Sequence, residues 1–311
     1  MSERRFTLPA FAKINLHLRV LGRREDGYHE IETVFQTITL RDRLTFEPLA
    51  DEHVELSCDS AEVPTDESNL VHRAALALRE RYGVRAGARV TLEKRIPAQA
   101  GLGGGSADAG VALLGLARLW KLAPARDELA ELCARLGADV PFFLTGGTAL
   151  GTGTGTRITP LEDAPARRLV VVTPGVKVST ADAYKALNAP ALTKAESAAN
   201  LSVSRAESEI SGSLCEAMRN DFEAVVFRLH PETGRAREAL LGAGARGAML
   251  SGSGSSVFGF FDTKGEAERA RRALGPQTGW RAFACATLSR AEYRRALGRC
   301  AGLLSEPGRE T

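Results

Sequence analysis

Apolar and polar residues alternate along Leu8–Val20. Ala12, Ile14, Leu16 and Leu18 fall on one face, and Phe11, Lys13, Asn15 and His17 on the other, which predicts a strand. Further strand-like runs follow at Thr33–Leu40, Arg43–Glu47 and His53–Cys58, after the turn-rich stretch Gly22–Glu30. The period then changes to helical after Asn69, a residue suited to an N-cap, and Gly83 stops that helix. Arg89–Lys94 alternates again as a half-buried strand. Beyond it lies a glycine-rich loop, after which Ala109, Ala112, Leu113, Leu116 and Trp120 recur at helical spacing. A helix over Pro124–Leu136, closed by Gly137, and a Thr/Gly-rich hairpin over Gly146–Leu161 complete the first half.

The second half opens on the β-forming run Arg168–Gly175. A helix starts at Ser179-Thr180, the polar segment Ala189–Ser213 reads as a mobile connection, and helices follow at Asn220–Leu229 and Thr233–Leu241. Two apolar strands flank a small loop within Ala248–Phe261. A helix over Lys264–Leu274, a strand over Trp280–Leu288 and a helix from Arg290 finish the pattern. The order β, α, α, β, β, α, β fits a split βαβ, ferredoxin-like unit. The expected organisation is α+β with domains at 1–160 and 161–300 and a tail at 301–311.

The length of 311 residues suits two cores. A net charge of +3, without basic runs interleaved with aromatics, excludes a nucleic-acid partner from the expectation. Five scattered cysteines with no CxxC spacing predict reduced thiols and no zinc site. The chain shows no uninterrupted apolar signal core near Met1 and no run long enough to span a bilayer, so a cytoplasmic protein with no membrane association is expected.

The chemistry concentrates in the loop Pro97-Ala98-Gln99-Ala100-Gly101-Leu102-Gly103-Gly104-Gly105-Ser106-Ala107. Four glycines in five residues let successive backbone N–H groups turn toward an anion, and the following helix start adds unpaired N–H groups and a positive dipole end. Strand, glycine loop and helix together make a phosphate seat, with Ser106 expected as the helix N-cap. No Gly-Lys-Ser/Thr follows, so this is not a Walker A loop. Asp127 and Glu128, at the distance where a dinucleotide fold needs an acidic strand end, lie in a helical stretch instead. Elsewhere the residues taken singly have ordinary explanations. Lys13 and Asn15, about 6.6 Å apart along a strand, suit a solvated face, Tyr28-His29 suits packing, Asp139 suits a turn cap, and Ser251-Gly252-Ser253-Gly254 suits a hairpin turn.

Together, however, Ala12–Leu16, Pro97–Asp108 and Leu250–Ser255 resemble, in order, the three motifs of the GHMP kinases (galacto-, homoserine, mevalonate and phosphomevalonate kinases). Asp26-Gly27-Tyr28-His29, Gly137–Pro141 and Pro174-Gly175 further resemble the branch that phosphorylates the 2-hydroxyl of 4-diphosphocytidyl-2-C-methyl-D-erythritol with ATP in the non-mevalonate isoprenoid pathway. The resemblance implies a first domain like domain 2 of ribosomal protein S5, a ferredoxin-like second domain and a site between them. It implies Asp139 as base and Lys13 as the cation beside it, with ATP held by the glycine loop, and Asn69 and Lys94 near the adenosine. Mg²⁺ would accompany the ATP, with Ser106 as a possible protein contact. It also implies that Tyr28 and Tyr184 sandwich the cytosine while His29 bonds its edge, and that Asn15 and Thr180 contact the erythritol part. The implied partners are ATP and a cytidine diphosphate-linked sugar alcohol, on a monomer or weak homodimer. Gly153-Thr154-Gly155-Thr156 departs from a charged Gly-Arg-Gly-Glu type sequence in many relatives. Rival expectations are a homoserine- or mevalonate-type kinase, which has no need of aromatic residues for a base, and a non-catalytic nucleotide-binding protein, which has no need of Lys13 with Asp139.

Overall fold

A computed structural model describes residues 5–192, 218–275 and 279–304. In chain order the strands are β1 Phe6–Arg23, β2 His29–Leu49, β3 Val54–Cys58, β4 Gly87–Glu93, β5 Thr148–Gly153, β6 Arg157–Pro160, β7 Arg168–Thr173, β8 Arg219–Asn220, β9 Gly247–Leu250, β10 Val257–Phe261 and β11 Arg281–Ala286. The α-helices are α1 Leu70–Tyr82, α2 Gly104–Leu119, α3 Arg126–Leu136, α4 Thr180–Leu187, α5 Glu223–Leu229, α6 Pro231–Gly242, α7 Lys264–Leu274 and α8 Arg290–Leu297. Most of the connection expected at Ala189–Ser213 lies outside the described residues.

The first sheet runs β3-β4-β2-β1-β8, with β5 on β2 and β6 on β5. The separate strands expected at Thr33–Leu40 and Arg43–Glu47 are one strand, β2. Its far edge changes partner along its length, pairing Ile31–Gln36 with β5 and Arg43–Leu49 with β4. Helices α1 and α2 cover one face of this sheet over a core that includes Phe46, Leu78, Val90 and Leu113. Contact there is close: a Cβ at Gly115 of α2 would fall 2.3 Å from the Phe46 ring.

The second sheet has the order β11-β7-β10-β9, antiparallel throughout. In sequence order this is 4-1-3-2, the ferredoxin-like arrangement expected from the pattern. The two sheets share a buried layer in which Ala12, Ile14, Leu16, Val34 and Ile38 meet Leu169, Val171, Phe258 and Phe260. One face of β1 is therefore spent on joining the sheets, and the other face is left to carry polar residues.

Two placements correct the sequence reading. Helix α2 begins at Gly104 with Gly103 as its N-cap, at φ +67°, and makes no side-chain cap hydrogen bond. Ser106 is therefore inside the first turn, because the left-handed glycine already turns the chain into the helix. At the other end, α8 and the 3₁₀ turn Gly298–Leu304 do not stay with the second sheet. Tyr293, Leu297, Cys300 and Leu304 bury into the first core, and Tyr293 Oη donates to the Phe143 carbonyl at 2.5 Å. These residues supply an apolar face that the first unit, and not the second, leaves open.

Candidate active site

A cavity of about 730 Å³ opens where β1, the glycine loop, the 3₁₀ turn Val140–Leu144, α4 and the loop after β9 converge. Its floor is the polar face of β1. The Lys13 side chain is buried, and its Nζ donates to Asn15 Oδ1 at 2.9 Å and lies 3.2 Å from Asp139 Oδ2. Asn15 is held in turn: its Nδ2 donates to Thr33 Oγ1 at 2.7 Å, and that hydroxyl donates to the His17 carbonyl at 2.7 Å. This relay fixes the amide oxygen toward the ammonium. Asp139 stands at the N-cap position of the 3₁₀ turn but makes no cap hydrogen bond, so its carboxylate goes to Lys13 instead of to its own backbone. Lys13 and Asp139 come from segments far apart in sequence, and only the fold brings them together.

The glycine loop is fastened to this floor. The Lys13 N–H donates to the Leu102 carbonyl at 3.0 Å, and Leu102 itself points into the core. Gly101 and Gly103 have φ of +75° and +67°, and a Cβ at Gly103 would lie 2.9 Å from Lys13 Cγ. Pro97, Gln99, Ala100, Gly101, Gly103, Gly104, Gly105 and Ser106 line the cavity; Ala98, Leu102 and Ala107 do not. At the N-terminal end of α2 these backbone groups stand where unpaired N–H groups and the helix dipole can hold an anion. The loop after β9 closes against it, with Ser251 Oγ donating to the Gly101 carbonyl at 2.9 Å and the Ser256 N–H to the Ala100 carbonyl at 3.1 Å. Gly252, Ser253 and Gly254 line the cavity, whereas Ser251 is a buried anchor behind it.

Asn69 and Lys94 stand behind the cavity wall. Asn69 caps α1, accepting from the Val71 N–H at 2.8 Å and donating to the Pro64 carbonyl at 2.6 Å, and the neighbouring Leu70 reaches the cavity. Lys94 is buried beneath the loop between Asp42 and Asp108, at 2.5 and 2.8 Å. Burial works against its charge, but the two carboxylates outweigh that and raise its pKa. Asp42 also accepts the N–H groups of Arg95 and Ile96, so the triad fixes the turn that enters the glycine loop.

At the opposite end, Thr180 and Tyr184 of α4 line the cavity, and Thr180 Oγ1 sits 2.9 Å from Ser253 Oγ. Burial, with Asp139 nearby, pushes the Tyr184 phenol up to about 12. Tyr28 and His29 are not in the cavity lining. The Tyr28 side chain stands out from the surface at 67% exposure, and His29 stacks on Tyr184, so a tyrosine sandwich is not preformed. Burial first, and then Arg23, hold the His29 pKa below its ordinary value. The sequence reading did not single out Thr33, Phe35 or Asn220, and it noted Thr154 only within a stretch that departs from the charged sequence of many relatives. Phe35 places its ring 5.5 Å from Lys13 Nζ, and Thr154 lines the cavity from the β5–β6 turn. For Thr33 and Phe35, the signal available in sequence was only their alternation along β2.

The N-terminal domain family of the GHMP kinases matches residues 69–147, and their C-terminal family matches residues 206–279. A 4-diphosphocytidyl-2-C-methyl-D-erythritol kinase of Syntrophotalea carbinolica is 42% identical over 273 residues, which are 88% of this chain and 95% of that protein. The chain belongs to the GHMP kinase family. A solved 4-(cytidine 5'-diphospho)-2C-methyl-D-erythritol kinase structure superposes with a TM-score of 0.76 at 38% identity, over 91% of this chain and 99% of that one. A homoserine kinase from Cytophaga hutchinsonii shares the fold, with a TM-score of 0.68 at 21% identity over 91% and 95% of the two chains. Both sheets and the cavity between them are thus those of a GHMP kinase. Among the described residues, no helix is long and apolar enough to cross a membrane.

Proposed function

We propose that this chain transfers the γ-phosphoryl group of ATP to the 2-hydroxyl of 4-diphosphocytidyl-2-C-methyl-D-erythritol, a step of the non-mevalonate route to isoprenoid precursors. The observation that carries the reading is the Lys13–Asp139 pair, 3.2 Å apart, set between a glycine loop and the aromatic face of Tyr184. Phosphoryl transfer is mostly positioning and charge stabilisation. The Asp139 carboxylate takes the proton of the acceptor hydroxyl, and the Lys13 ammonium stabilises charge on the attacking oxygen. Asn15 holds Lys13 on one side while the loop N–H groups hold the phosphates. Thr180 and Asn15 contact the erythritol part, and Tyr184, Tyr28 and His29 receive the cytosine.

Mg²⁺ fits this arrangement. Ser106 lines the cavity, and its hydroxyl is not used to cap α2. A magnesium ion held mainly by phosphate oxygens and water needs only one or two protein oxygens, and it would neutralise charge on the transferring group. The adenosine end then falls beside Leu70, with Asn69 and Lys94 acting from behind the wall. The reading extends to a monomer or a weak dimer, and two polar nucleotide substrates suit the cytoplasm.

The test is a phosphoryl-transfer assay with ATP against the cytidyl substrate, homoserine and mevalonate. Turnover with the cytidyl substrate alone is the expected result. A preference for homoserine or mevalonate, or no turnover with any acceptor, would overturn the reading.

A further inference from the structure

The loop after β9 approaches the reacting groups at one point, Gly252. A Cβ there would lie 3.4 Å from Lys13 Nζ, 3.5 Å from Asn15 Oδ1 and 3.2 Å from the Gly101 carbonyl, at a φ of +56°. Within the loop, Ser251 Oγ fastens its own backbone to the Gly101 carbonyl at 2.9 Å, but no side chain of the loop, among the described residues, bonds the Gly252 carbonyl. The carboxamide of Asn220 does: its Nδ2 donates to the Leu250 carbonyl at 2.9 Å and to the Gly252 carbonyl at 2.8 Å. Its Oδ1 accepts the Phe222 N–H at 3.0 Å, so all of these bonds are made inside a buried pocket.

Asn220 is itself pinned to the catalytic strand. Strand β8 pairs in parallel with β1 at His17 and Leu18, two and three residues beyond Asn15. The Asp221 N–H donates to the Leu18 carbonyl at 3.0 Å, and Asp221 Oδ2 accepts the Val20 N–H at 3.0 Å. The Asn220 side chain on the loop, and the β8 backbone with Asp221 on β1, therefore tie the strand that carries Lys13 and Asn15 to the loop that closes over them.

We propose that Asn220 is a positioning residue for phosphoryl transfer, which sets the distance between the Gly252 backbone and the Lys13–Asn15 pair. This rests on the kinase reading above. Among the common side chains, an amide is the short group that donates two hydrogen bonds to neighbouring carbonyls while accepting a third. Aspartate in the same place keeps the bond from Phe222 but turns an acceptor toward two carbonyl oxygens, and so pushes the loop away. Serine keeps an acceptor for Phe222 but has a single O–H on a shorter arm, and so cannot hold both carbonyls. Displacing a positioning element by about an ångström can lower turnover by up to roughly 10²-fold.

The experiment compares wild type, Asn220→Asp and Asn220→Ser in melting temperature, kcat and the KM for each substrate. The kinase reading stands or falls on wild-type turnover, and the proposal on the ratio of variant to wild type. We expect kcat per folded molecule to fall about tenfold or more, with both KM values within about threefold, because Gly252 adjoins the transfer point and neither base subsite. The serine variant is expected to stay folded if the aspartate variant does not. A variant with a lowered melting temperature but wild-type kcat per folded molecule would make Asn220 a purely structural residue and overturn the proposal. So would a change confined to one KM, or the loss of folding in both variants.

Discussion

The imidazole of His29 stacks on the phenol ring of Tyr184, with centroids 4.5 Å apart and planes 21° from parallel. Phe222 meets the Tyr184 ring edge-on at 4.8 Å. A base that stacked on the face His29 now covers would take the place of the imidazole.

Under the proposed function, part of the recognition energy for the cytosine sits in the Tyr184 ring. Removing an aromatic ring that stacks on a base costs about 1–3 kcal/mol, which is about 5- to 150-fold in affinity. Tyr184→Ala should raise the KM for the cytidyl acceptor within that range and leave the KM for ATP unchanged, while Tyr184→Phe should change little. Tyr28→Ala should act in the same direction if the exposed ring closes on the bound base. Steady-state kinetics in both substrates decides it. An effect of Tyr184→Ala on ATP alone would remove the base from this face.

For Asp139→Asn, kcat should fall by roughly 10²-fold or more, with ATP affinity nearly intact. The asparagine oxygen can still accept from Lys13 Nζ, so the local structure survives while the proton acceptor is lost. Calorimetric titration of ATP beside the turnover assay separates these effects. Near-normal kcat would take Asp139 out of the chemistry.

Gly103 stands between the glycine loop and Lys13, the lysine to which the proposed function gives the catalytic role. At φ +67° a side chain is strained, and its Cβ would press on Lys13 at 2.9 Å from Cγ. Gly103→Ala should therefore reduce kcat at least about tenfold as well as weaken ATP binding. A variant with weakened ATP binding but normal kcat at saturation would show that the loop and Lys13 are not mechanically linked.

Much of this was legible in the chain. The glycine loop was readable because strand, glycines and helix are contiguous and each has its own local signal. Lys13 with Asn15 was readable because period-two alternation puts both on one strand face. Their role was given only by the resemblance, since the Asp139 carboxylate arrives from a turn more than a hundred residues away and, by its local sequence, looks like a cap. Asn220 was hidden for a similar reason: β8 is two residues long and reads as the start of helix α5, so nothing local announces that it joins the edge of β1. Ser106 was read as a cap because a hydroxyl before a helical run usually is one. A left-handed glycine three residues earlier had already done that job.

The last prediction concerns the triad under the loop. Lys94 is shared by two buried carboxylates, and Asp108 Oδ1 finds no partner among the described residues. Burial raises the Asp108 carboxyl to about 7; Lys94 pulls it down, and Asp42 adds to the rise. In the unfolded chain the same group titrates near 3.8. Between those values the native state holds a proton that the unfolded state has lost, so stability falls as pH rises and levels off above about 7. Carboxylates held low by partners, such as Asp26 and Asp66, act in the opposite sense at more acid pH, so the decline is read between about pH 5 and 7. Asn at position 108 can still accept from Lys94 Nζ but has no charge to bury. Asp108→Asn should therefore gain in melting temperature relative to wild type as pH rises across that window, measured by calorimetry without nucleotide or magnesium. Parallel curves for the two proteins would mean that Asp108 is ionised throughout and that Lys94 fully compensates both carboxylates.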